Sequence, residues 1–321
     1  MKKGLIIAAV LLMVAAIIGL IAIEYAGNRP GKRGENPYAY RIGTLADVDS
    51  SWLQWKEIRQ IRLEQDTLSA IAALGERIFI TGTGFLTEIT GEGRQLRTIT
   101  LDGTPTAMTV SGDTAYVAFT RYIALYSLDG QRLQEWEPVN GLSYITSLKV
   151  SGKQLFAADA GNREVLRYST DGKLLLKIAG KNDAESLHGF IVPSPYFDLD
   201  INQSGELWIA NTGMHALENY GTDGSFRGFW TNPSYDLEGF TGCCNPAHMV
   251  IMDDGTFVTS EKGLVRIKTY KPSGELLSVV APPSAFGSST IAPDLAVTPA
   301  GLIFALDFNI NRIRIFMKKS N

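Results

Sequence analysis

The stretch "SYITSLKVSGKQLFAADAGNREVLRYSTDGKLLLKIAG", residues 143–180, decides the fold. An apolar run ends in a Ser-Gly turn, and a second run closes on small and acidic residues at Asp159. A Gly-Asn corner follows, then the alternating "REVLRYS", an Asp-Gly turn and a last strand. Alternation of period two, bounded by turn residues, marks four short antiparallel strands. The phrase returns at residues 68–101, 105–139, 196–230, 246–282 and 292–319. The glycine of the last turn falls at Gly93, Gly130, Gly172, Gly224 and Gly274, at intervals of 37, 42, 52 and 50 residues. Four strands repeating at such a period are the signature of a β-propeller. The sixth block stops after its third strand, "RIRIFMKK", while "WKEIRQIRL", residues 55–63, precedes the first block and has the character of the missing fourth. Lending that strand to the last blade closes the ring and removes a long unpaired edge. The expectation is one all-β, six-bladed β-propeller over residues 50–318.

Around this ring the chain is 45% hydrophobic and 20% charged, with a formal net charge of −3. Phosphate binding needs a concentrated basic surface, so this balance argues against nucleic acid as a partner. The N-terminus, "MKKGLIIAAVLLMVAAIIGLIAIEYAGN", follows Lys2 and Lys3 with an uncharged apolar run from Gly4 to Ile23. As a helix that run is about 30 Å long, enough for a bilayer. It exceeds the roughly 7–15 residues of a cleavable signal core, so an uncleaved signal anchor is favoured over a cleaved signal peptide. The organisation expected is a cytoplasmic tip and transmembrane helix at 1–26, a polar Gly- and Pro-rich tether at 27–49, then the propeller. The two lysines stay in the cytoplasm and place the rest outside.

The third block, "LFAADAGNREVLRYSTDGKLL", and the fourth, "LWIANTGMHALENYGTDGSF", resemble NHL repeats, in which a small-Asp-x-Gly-Asn corner is followed by an Asp-Gly turn. Asp159, Gly161, Asn162 and Arg163 carry the likeness in the third block. Asn211 and Gly213 carry it in the fourth, where His215 departs from it, and Asp307 and Asn311 carry it in the sixth. With the anchor, "VPSPYFDL" and "GCCNPAHMVIMDDGTFVTSEKGLVRIKTY", the chain also resembles a group of bacterial membrane-anchored NHL-repeat proteins of unestablished activity. That resemblance implies a single-pass protein of the bacterial inner membrane with its propeller in the periplasm or extracytoplasmic space.

Two links between blades are long: residues 181–195, which contain His188, and 231–246, which contain Cys243 and Cys244. In a propeller such links share a face with the loops between second and third strands, where His215 lies, and insertions on one face mark a binding face. Aligning the innermost strands and counting back three from their closing apolar residue gives Ile71, Ala107, Ser147, Asp198, His248 and Asp294. Three neighbouring blades therefore place Asp198, His248 and Asp294 near the channel mouth. The cluster suits a metal, a polar ligand or acid-base chemistry. It equally suits polar groups that hydrogen-bond one another in a wet channel.

The stretch "FTGCCNPAH", residues 240–248, leaves three readings open. Cys243 and Cys244 form a vicinal disulfide, hold a soft metal such as zinc or copper with His248, or are two ordinary thiols. "DLDINQSGE", from Asp198, falls short of a calcium loop because Gln203 stands where glycine is required. No complete catalytic signature is present. The leading expectation is a scaffold or binding module for an extracytoplasmic protein, peptide or small ligand, contacted through Asp198, His248, Asp294, His188, His215 and Asn211. The rivals are a metal-dependent lyase or hydrolase, as in NHL-type lyases that hold zinc with channel histidines, and a redox accessory protein using the cysteines.

Overall fold

The computed structural model describes residues 2–27, 47–65, 67–181 and 188–320, apart from the side chains at 2, 3, 5, 6, 9 and 24–27. The chain forms two compact units, 1–44 and 45–321. The first contains α1, Lys2–Gly27, whose described side chains include exposed Leu11, Leu12, Leu20 and Ile23. Among the described residues no helix is long and apolar enough to cross a membrane. Most of the expected tether, and residues 182–187 of the first long link, lie outside the described residues.

The second unit contains six four-stranded antiparallel sheets. Blade one is β2 (Leu68–Leu74), β3 (Arg77–Gly82), β4 (Phe85–Ile89) and β5 (Gln95–Thr100). Blade two is β6 (Ala107–Ser111) to β9 (Arg132–Trp136), and blade three is β10 (Ile145–Ser151), β11 (Gln154–Asp159), β12 (Glu164–Ser169) and β13 (Leu174–Ile178). Blade four is β14 (Leu199–Ile201), β15 (Leu207–Asn211), β16 (Ala216–Tyr220) and β17 (Phe226–Thr231). Blade five is β18 (His248–Ile251), β19 (Phe257–Glu261), β20 (Arg266–Tyr270) and β21 (Leu276–Ala281). Blade six is β22 (Asp294–Val297), β23 (Ile303–Asp307) and β24 (Arg312–Lys318), completed by β1 (Trp55–Ile61). β1 runs antiparallel to β24 from Trp55 opposite Lys318 to Ile61 opposite Ile313. The innermost strands pack in sequence around the axis, β22 against β2.

Each sheet is covered on both faces by its neighbours, which explains the nearly unbroken apolar runs of the middle strands. Among the described residues the core divides into clusters that each join two adjacent blades. In β11, Leu155 and Ala157 turn toward blade two, while Phe156 and Ala158 turn toward blade four. The recurrent turn glycine serves the same packing. Gly172 and Gly274 have φ of 97° and 84°, and a Cβ there would lie 2.6 Å and 2.8 Å from the indoles of Trp136 and Trp230 on the preceding blades. Only glycine meets both demands.

Candidate functional site

Acidic side chains on the innermost strands join neighbouring blades. Asp198 accepts from the N–H of Leu199 and, across the blade boundary, from that of Met249, both at 2.8 Å. Asp200 accepts in the same way from Ile201 and Ile251, at 2.8 Å, and pairs with Lys149 at 2.6 Å. Asp294 takes Leu295 N–H at 2.8 Å and Ile71 N–H at 3.0 Å. These charge-assisted bonds join blade four to five and blade six to one.

His248 Nδ1 stands 3.6 Å from both Asp198 and Asp294. Burial disfavours the imidazolium, but Asp198, helped by the charge of Asp294, outweighs it and raises the pKa above 6.5. Burial pushes the Asp294 carboxyl above 3.8, against the pull of His248. The three side chains line a polar cavity of about 270 Å³ along the channel. Among the described residues no group of three or more His, Cys, Asp or Glu is arranged to hold a metal ion. Both oxygens of Asp198 and of Asp294 are engaged by backbone amides.

The other sequence candidates lie apart from this cluster. His188 is exposed, and its described contact is local, Nδ1 to Gly189 O at 2.8 Å. His215, with φ of 53° at the blade-four corner, contacts Asn245 O through Nδ1 at 3.1 Å. Asn211 is fully buried. It donates to Glu218 at 2.7 Å and Gly189 O at 3.2 Å, and accepts from Ile191 N–H at 2.8 Å. Both of its amide hydrogens are thus spent inside the chain, and the residue holds a link instead of facing a ligand. Cys243 is exposed and Cys244 buried, and their sulfurs stand 3.2 Å apart as free thiols, beyond a disulfide bond. The grouping of both cysteines with His248 around a metal is not formed.

A network absent from the sequence reading holds the second long link. Glu261 ends β19 at the position that Asp159 and Asn211 occupy in their blades. It accepts Thr241 N–H at 3.1 Å and pairs with Arg266 and Lys268, each at 2.8 Å. Arg266 reaches Gly239 O at 2.7 Å, Lys268 reaches Leu237 O at 3.0 Å and Gly239 O at 2.7 Å, and Tyr270 reaches Glu238 O at 2.9 Å. All four side chains are buried. The signal lay in "VRIKTY": Arg266, Lys268 and Tyr270 recur at i, i+2 and i+4, on one face of a strand.

No protein-family model matches the chain, and no curated protein is matched. Solved structures share its fold. One described as a streptogramin B lyase is similar with a TM-score of 0.59 and 12% identity, over 84% of this chain and 99% of that one. A catalytically inactive virginiamycin B lyase from Staphylococcus aureus, with quinupristin, is similar with a TM-score of 0.56 and 14% identity, over 80% of this chain and 83% of that one. A protein of unknown function from Bacteroides caccae is similar at 0.52 and 14%, over 70% and 84%. At these identities the likeness shows the six-bladed propeller and no more.

Proposed function

We propose that the chain is a membrane-anchored, NHL-like propeller whose insertion-bearing face docks an extracytoplasmic protein or peptide. One observation carries this reading. Leu142, Tyr144, Ile191, Tyr235, Ile291 and Ile310 are all exposed, and all lie in inter-blade links or second-to-third-strand loops, which an antiparallel blade brings to one face. Large apolar side chains gathered on one face mark interaction sites. The platform beneath them is firm, because buried side chains tie the links to the blade corners. The channel-mouth carboxylates join blades, which favours a scaffold over a lyase or hydrolase. For the anchor, support comes from the apolar sequence of α1 behind Lys2 and Lys3.

The test places a photo-crosslinking amino acid at Leu142, Ile191 or Ile291 of the full chain in cells, with Leu96 and Leu133 on outer strands as references. Discrete adducts from the three face positions and none from the references are expected. Equal labelling, or none, contradicts the reading. Retention of the chain in membranes after an alkaline wash, with the propeller cleavable by external protease, tests the anchor.

A further inference from the structure

The segment carrying the two cysteines is fixed at both ends. Thr241 N–H is held by the buried Glu261 carboxylate at 3.1 Å. Asn245 accepts Lys262 N–H at 2.8 Å, donates to Lys262 O at 3.0 Å and to Thr241 O, and receives His215 on its own carbonyl at 3.1 Å. Between these points Gly242, at φ of 78°, turns the chain so that the sulfurs of Cys243 and Cys244 meet at 3.2 Å. One thiol is exposed and the other buried. Burial holds the Cys244 thiol above its usual range. Cys243 is therefore placed to meet a reagent from solution, and Cys244 to act only on what has already reached Cys243.

We propose that Cys243 and Cys244 form a thiol–disulfide exchange site, with Cys243 as the attacking thiol, Cys244 as the resolving thiol, and the disulfide of a small thiol or protein as co-substrate. Cys243 loses its proton, and its sulfur attacks one sulfur of the incoming disulfide. The S–S bond breaks, and the departing thiolate takes up a proton. The mixed disulfide on Cys243 is then attacked by Cys244, which has lost its own proton. A Cys243–Cys244 bond forms as the second thiolate leaves and is protonated. In sum two cysteine thiols are oxidised by two electrons, and one disulfide is reduced to two thiols. Fixing the sulfurs side by side removes the entropy of bringing them together. Adjacent cysteines close a tight ring whose geometry favours reopening, so the site cycles instead of locking. This chemistry is independent of the docking reading, since it needs no partner on the rest of the face.

The test exposes the full-length chain, in detergent, to buffers of reduced glutathione and glutathione disulfide, then alkylates under denaturing conditions and reads the intact mass. Wild type is expected to pass between a doubly alkylated form and a form lacking two hydrogens with no adduct, and to return with reductant. Cys244→Ser is expected to accumulate one glutathione on Cys243, whereas Cys243→Ser accumulates none. A lasting glutathione adduct on the wild-type chain, or two alkylatable thiols in the most oxidising buffer, overturns the proposal. The wild-type result decides the matter even where a variant folds poorly.

Discussion

Asp159 in blade three and Glu261 in blade five end their second strands, and each takes a backbone N–H from the link entering its blade: Tyr144 at 2.9 Å, Thr241 at 3.1 Å. Around Asp159 the link is short, and the corner completes itself. Asn162 donates its N–H to Asp159 at 3.1 Å and its side-chain amide at 2.7 Å, and Gly161 lets Leu142 O approach. Around Glu261 the link is long, and Arg266 and Lys268 reach past the carboxylate to its carbonyls. The difference teaches that a longer link leaves more backbone acceptors to satisfy. Here two buried basic side chains sharing one carboxylate satisfy them.

The largest effect expected from this contrast is at Glu261. Glu261→Gln leaves the buried Arg266 guanidinium without its anion and Lys268 without its carboxylate partner, and should destabilise the chain by about 3–5 kcal/mol, read from denaturant midpoints. In blade three, Gly161→Ala should cost about 2 kcal/mol, because the new Cβ would lie 1.8 Å from Leu142 O. If the two losses came out equal, the contrast between corners would fail.

A pH scan sharpens the comparison. Lys268 is pushed down to about 7 from 10.5, chiefly by burial and also by Arg266, with Glu261 pulling the other way. Between those values the unfolded chain binds the proton that the folded chain releases. Stability should therefore rise from about pH 7 to 10.5, and Lys268→Met should remove that rise in denaturant titrations at each pH. The smallest effect belongs to the channel mouth. His248 has its pKa raised above 6.5, so its contribution is complete below 6.5 and fades as pH climbs through the raised value. Asp198→Asn should lower the His248 titration seen by NMR and cost about 1 kcal/mol through the weakened bond to Met249 N–H.

The ring was legible because its glycines answer to local rules: Gly93, Gly130, Gly172, Gly224 and Gly274 all have positive φ. The meeting of Asp198, His248 and Asp294 was legible because equivalent positions on neighbouring innermost strands must converge on one axis. The Glu261 network was hidden for a physical reason. Alternating charge in "GLVRIKTY" resembles a strand with one wet face, yet a blade is covered on both faces, and Arg266 and Lys268 are buried. Asn211 likewise looks available in sequence, and only the fold shows its amide spent on Glu218, Gly189 and Ile191.

The central claim is that the long link of residues 231–246 is a rigid platform, and hydrogen exchange of the full-length chain tests it most directly. Peptides covering 236–245 should exchange slowly, as Thr241 N–H is bonded to buried Glu261 and the link is held by Arg266 and Lys268, and Glu261→Gln should release them. Exchange at the rate of an open loop in the wild-type chain would contradict it.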